Sequence, residues 1–298
     1  MLPDLGVEVT RDRVRLSGGH SFPIPAAFVD PEAKLAAEQA MGFEAAVLSI
    51  PASVFLYGAD AAAAEVYCQT ANAAMGRVSR GPFRAMGILP LQHAGRAVAE
   101  LRRAVREDGL AAFAIGASVG GRPLWEGELG EVLAEAARLA VLLFLHPAYE
   151  GPRPGLERFY AVNVIGNPLE TSTAVYELLA SGTLARLRGV RLLLAHGGGF
   201  LPYLSGRIAR AAAVRAEVTA GSDPIALLRG LDYDTVVYRP ETLRFLVAAA
   251  GPERVLCGSD HPFDMGDPDP VGSVRAAGLD PVQEAAVLGG NAAARFGF

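Results

Sequence analysis

Residues 191–207 read RLLLAHGGGFLPYLSGR. Leu192 to Ala195 form a short apolar run without helical period, as expected of a strand buried on both faces. His196 closes the run, Gly197 to Gly199 follow, and an amphipathic segment begins near Leu201. A polar residue at the carboxyl end of a buried strand, beside a turn of residues without side chains, is what an α/β active site requires. Glycine lets the backbone turn sharply and leaves room beside the imidazole. A core histidine on an ordinary strand–loop–helix turn would look the same locally. Two further stretches built alike argue against that plainer reading.

Outward from this stretch, apolar runs alternate with helical patterns. Seven buried strands are expected near residues 45, 84, 111, 141, 191, 232 and 254. Helices are expected between them: at 31–41, with Asp30 as cap and Pro31 in the first turn, and at 61–78, 94–107, 127–139, 168–180, from 201, and at 241–250. Strand alternating with helix, with no break in composition, predicts βαβ units and a parallel sheet over one domain, residues 1–298. A closed (β/α)8 TIM barrel needs eight strands. The first is missing, and the only unassigned ground is the amino terminus, where a small hairpin is expected around Val14 to Leu16.

Half of the 298 residues are hydrophobic and 20% are charged, enough for a large core and unlike a disordered chain. A net charge of −5 without basic, aromatic-interleaved clusters excludes a nucleic-acid binder. Cys68 and Cys257 match no zinc or redox spacing and suit a reducing cytoplasm. The start, MLPDLGVEVTRDRVRL, has no apolar core of a signal peptide, and no apolar run reaches the length of a membrane span.

His146 ends VLLFL, His196 ends LLLA, and Asp260 follows VLCGS. Each lies at or just past a buried strand, where parallel α/β folds collect functional groups. Two imidazoles and a carboxylate converging on one barrel mouth suit Zn²⁺, Mn²⁺ or Fe²⁺. The other histidines say less. His20 reads as a solvated loop residue, His93 as a residue near a helix cap, and His261 as either lining the mouth or filling space. Asp264 and Asp267 read as a solvated acidic loop.

Taken together, LFLHPAYE (143–150), GNPLETS (166–172), LLLAHGGGFLPYLSGRI (192–208), RVLCGSDHPFDMGD (254–267) and GGNAAARFGF (289–298) resemble the amidohydrolase-related decarboxylases. That group is typified by aminocarboxymuconate-semialdehyde decarboxylase and γ-resorcylate decarboxylase. The resemblance implies a barrel with one divalent metal, usually zinc, at its carboxyl-end mouth. His146 matches a metal-binding histidine of the fifth strand and Asp260 a metal-binding aspartate of the eighth. His196 matches a sixth-strand histidine that handles protons near the metal. Arg207 matches an arginine that reaches the neighbouring subunit's substrate site, which implies a homodimer. No lysine or glutamate ends the strand near Ile115, so a binuclear centre is not expected.

The family opens with a strand ending in His-x-His, and this chain lacks it. The expectation is that Met1 falls just after the missing pair, through a late-assigned start or a truncation. The cationic and tryptophan groups that grip the dicarboxylate in the typical member have no counterparts in 1–60 or 147–165. Three activities therefore stay open: decarboxylation of a small aromatic or unsaturated acid, hydrolysis of a small amide, ester or lactone, and a metal-free barrel without catalysis.

Overall fold

Each apolar run in the sequence becomes a short parallel strand, and each amphipathic run a helix that covers it. The computed structural model describes residues 6–16, 21–148 and 153–298. The chain opens on an antiparallel meander of β1 (Val7–Val9), β2 (Arg13–Leu16) and β3 (Ser21–Pro23). Seven barrel positions follow. They are β4 (Ala46–Leu48), the pair β5 (Phe83–Ala85) and β6 (Gly87–Ile88), and then β7 (Ala112–Gly116). A small hairpin of β8 (Ser118–Val119) and β9 (Arg122–Pro123) intervenes. The rest are β10 (Leu142–His146), β11 (Arg191–Leu194), β12 (Asp232–Asp234) and β13 (Val255–Leu256).

The barrel strands pair in parallel and in chain order, β4 with β5, then β6, β7, β10, β11, β12 and β13. β5 and β6 are one run interrupted at Met86, whose N–H donates to the Leu48 carbonyl at 2.8 Å. Among the described residues, β4 pairs only with β5 and β13 only with β12. Among the described residues no strand bridges β4 and β13, and this seam is where an eighth strand would lie. The stretch around Val14 to Leu16 does not fill it: among the described residues β2 pairs only with β1 and β3.

Register carries the strand ends to one level. His146 lies opposite Gly116, Leu145 opposite Leu194, Leu194 opposite Tyr233, and Asp234 opposite Leu256. Phe113, Leu143, Leu145, Leu192, Leu194 and Val255 are fully buried, as apolar strands between helices should be. Gly87 is needed where β6 crosses Phe113, because a Cβ there would sit 2.6 Å from the ring. Two helices are pinned to β6 by one buried amide. Asn72 donates to the Ile88 carbonyl (2.9 Å) and to Glu100 (2.6 Å), and accepts from the Ile88 N–H at 2.8 Å. A buried amide whose donors and acceptor are all used fixes its neighbours firmly.

The long helices form at Pro31–Ala40, Ala61–Val78, Ala94–Glu107, Leu129–Arg138, Asn167–Ala180, Leu201–Val214 and Pro240–Ala250. Asp30 caps the first through the Glu32 N–H at 2.9 Å. No helix among the described residues is long and apolar enough to cross a membrane.

Candidate active site

The carboxyl ends of the strands surround a cavity of about 1200 Å³. It runs from His196 and Asp260 at the mouth past Leu193 and Leu256 to Phe296.

His146 is the last residue of β10, and its Nδ1 lies 2.9 Å from the Pro147 carbonyl. A carbonyl only accepts, so Nδ1 carries the proton and the lone pair sits on Nε2. The His196 ring stands 4.9 Å from the His146 ring, centroid to centroid, at 67°. Its Nδ1 is buried and has no hydrogen-bond partner among the described residues. His146, His196 and Asp260 each offer one ligand atom, and these atoms lie within 4.8 Å of one another. Two nitrogens and one oxygen, with the His196 ring left short of a partner, fit a divalent cation.

The charge state agrees. Burial, with His196 close by, pushes His146 down to about 3, and burial pushes His196 down to about 4. Both imidazoles are therefore neutral at pH 7 and can donate lone pairs. Burial, then the carboxylates of Asp234 and Asp264, push Asp260 up to about 7, against the pull of Lys34. Asp260 thus holds a proton over part of the neutral range.

The turn carrying His196 is held from two sides. His196, Gly197, Gly198 and Gly199 all have positive φ, from 55° to 74°. Side chains at the glycines would collide with Val237 (2.5 Å), the Tyr233 ring (2.6 Å) and the Pro168 carbonyl (2.4 Å). Asp234, at the end of β12, accepts the His196 N–H at 3.0 Å and the Gly197 N–H at 2.8 Å. Beyond β10, Arg153 is ion-paired to Glu170, whose other oxygen accepts from the Ala148 N–H at 3.0 Å. That contact ties the loop after His146 to helix Asn167–Ala180.

The other expected residues fall into place or out of it. His261 lines the mouth beside an internal ion pair: Lys34 donates to Glu38 at 2.6 Å and to the His261 carbonyl at 2.9 Å. Lys34 thus lines the cavity with its charge engaged by Glu38. Asp267 is buried, not solvated, and accepts the Asp269 N–H at 2.9 Å; Asp264 is exposed. His93 occupies the cap position of helix Ala94–Glu107 without a side-chain cap bond. His20 lies outside the described residues. β7 ends on Gly116, where a Cβ would meet Tyr57 at 2.6 Å. Arg207 is exposed on helix Leu201–Val214 and does not line this chain's own cavity.

A family model described as amidohydrolase matches residues 20–298. The 2-amino-3-carboxymuconate-6-semialdehyde decarboxylase of Dictyostelium discoideum is 31% identical over 195 residues, 64% of this chain and 54% of that protein. The chain spans about half the length, or less, of the sequence relatives it matches most strongly. The crystal structure of 5-carboxyvanillate decarboxylase from Sphingomonas paucimobilis superposes with a TM-score of 0.83 at 22% identity. That likeness covers 92% of this chain and 86% of that one. The dihydroxybenzoic acid decarboxylase of Polaromonas sp. JS666, with bound manganese and the inhibitor 2-nitroresorcinol, gives 0.78 at 22% identity, covering 90% and 86%. At those identities the two structures are alike in fold.

Proposed function

Since the chain belongs to the amidohydrolase family, we propose that it is a metal-dependent lyase that removes carbon dioxide from a small aromatic or unsaturated carboxylic acid. The observation that carries this reading is the convergence of His146, His196 and Asp260 within 4.8 Å. His146 and Asp260 would hold one divalent ion, with His196 beside it. Zinc suits two nitrogens and an oxygen, and manganese, the ion held by the dihydroxybenzoic acid decarboxylase, suits them too. When bound, the ion binds substrate oxygens and stabilises negative charge on them.

The chain's own residues handle the proton. Decarboxylation requires protonation of the carbon bearing the carboxylate; the C–C bond then breaks, and its electron pair returns to the unsaturated system as carbon dioxide leaves. Asp260 has two oxygens, so one would be left free of the ion to take up a proton and deliver it to the substrate. His196, neutral at pH 7, orients that carboxyl group or relays its proton. Hydrolysis would use the same groups, with Asp260 taking a proton from water. Decarboxylation is preferred because each of the three relatives described above is a decarboxylase.

Arg207 would serve a neighbouring copy's substrate. It shares a helix face with Tyr203, four residues earlier, which is 82% exposed and 6.5 Å from the Phe245 ring. An exposed aromatic pair next to a cation supports a homodimer built on this face. Two unpaired cysteines fit a cytoplasmic setting.

The test is a panel of aromatic acids and lactones given to the metal-loaded chain, with carbon dioxide and hydrolysis products both measured. Carbon dioxide release, lost by at least about 100-fold in His196→Asn with the fold intact, is the expected result. Lactone or ester cleavage without carbon dioxide would replace this reading with the hydrolytic one.

A further inference from the structure

Asp234 is a buried acid that sequence reasoning passed over and that the proton chemistry above does not use. It ends β12, between the strand that leads to His196 and the strand that leads to Asp260. Three backbone N–H groups converge on its carboxylate: His196 on Oδ2 at 3.0 Å, and Gly197 at 2.8 Å and Val236 at 3.0 Å on Oδ1. Two of those donors are successive amides of a turn in the left-handed region, with φ of 55° at His196 and 60° at Gly197. A β-carbon makes that conformation unfavourable, so a histidine stays there only when its surroundings hold it. Moving His196 back to ordinary strand geometry would rotate its imidazole away from His146 and break both bonds to Asp234. A carboxylate that lost them would be left buried and under-bonded, which is costly.

We propose that Asp234 is the positioning residue for His196, clamping two successive amides so that the imidazole stays in the donor cluster. The role rests on the functional reading of His196 given above. The clamp itself does not, and the experiment separates the two. Asparagine at 234 keeps the size and one accepting oxygen but turns an NH₂ group toward a second N–H. In Asp234→Asn, whichever of the His196 and Gly197 amides then faces the NH₂ group should therefore exchange with solvent at least about tenfold faster than in the unaltered chain. The Leu194 and Leu145 amides, in the neighbouring ladder, should not change. This readout needs neither metal nor substrate. In the unaltered chain the His196 and Gly197 amide protons should also resonate downfield, as bonds to a carboxylate do.

Decarboxylation kinetics supply the second arm. Asp234→Asn should lower kcat by about 10- to 100-fold with KM changed by less than about threefold. In a His196→Asn background the same substitution should cost less than about twofold, because the residue acts through His196. Unchanged amide exchange in Asp234→Asn would overturn the clamp, as would ordinary amide shifts in the unaltered chain. Fast exchange with fully additive kinetic losses would overturn the positioning role. Fast exchange in a chain that releases no carbon dioxide from any acid would leave the clamp standing and remove the lyase reading instead.

Discussion

At His196 and the glycines that follow it, chemistry and backbone geometry are the same problem. The imidazole reaches the site only because four successive residues adopt positive φ, and three of them have no side chain to obstruct the turn. Gly199 shows the tolerance. A Cβ there would sit 2.4 Å from the Pro168 carbonyl and 2.8 Å from Ser172 Oγ. Ser172 is not free to move, since it donates to that carbonyl at 2.7 Å and accepts the Phe200 N–H at 2.7 Å. Gly199→Ala should destabilise the chain by more than about 2 kcal/mol, through collision and left-handed strain together. Urea unfolding checks this. A midpoint equal to that of the unaltered chain would mean that the turn is looser than its geometry implies.

At the scale of elements, polar anchors set the helices against one another. Glu135, buried on helix Leu129–Arg138, accepts from Arg138 at 2.6 Å on its own helix and from Arg102 at 2.7 Å on helix Ala94–Glu107. The Arg138 and Arg102 guanidinium groups pull its carboxyl down to about 2. A carboxylate with a depressed pKa contributes stability that is present above its unfolded value, about 4.5, and lost as pH falls through about 2. Both arginines are more than half exposed, so the contribution is screened and modest. Glu135→Gln should lower the thermal midpoint by about 1–3 °C at pH 7, with the difference closing as pH approaches 2. A difference that persisted unchanged at pH 2 would point to packing instead of charge.

Elements also explain what the sequence made legible. The seven barrel strands, the long helices and the cap at Asp30 could be read because an apolar run or a 3.6-residue period extends over enough residues to be distinctive. His146, His196 and Asp260 stood out because each polar residue ends or follows such a run. Asp234 was hidden by the same rule. Asp232 to Val237 reads as one strand, which puts Asp234 in its middle, whereas the strand stops at Asp234 and the chain turns. β1, β3, β8 and β9 are two or three residues long, too short for any alternation to register. Lys34 and Glu38 carry the four-residue spacing of a solvated helical pair, and only the packing of helix Pro31–Ala40 against the loop after β13 takes them into the cavity. Asp267 looked solvated in an acidic loop, yet it is buried by the turn that leads into Asp269.

At the scale of the whole molecule, the seam is the dominant feature. Among the described residues the outer edges of β4 and β13 have no strand partner, and such edges open readily and attract further strands. A parallel strand added there would bring the side chains at its carboxyl end to the same mouth as His146 and Asp260. Amides of β4 should therefore exchange well before those of β10 and β11, which are paired on both sides. Equal protection across the three would mean that the seam is covered in solution. The face bearing Tyr203, Arg207 and Phe245 makes a separate prediction. If the proposed dimer forms on this face, Tyr203→Glu should shift it toward monomer in sedimentation, while a species already monomeric without the substitution would remove Arg207 from any shared site. A catalytic metal in this barrel is what the proposed chemistry requires, and elemental analysis of the chain, loaded with metal and then desalted, looks for it. About one zinc, manganese or iron per chain, lost when His146 and Asp260 are replaced by asparagine, is the result expected. A chain that retains no metal would contradict the account.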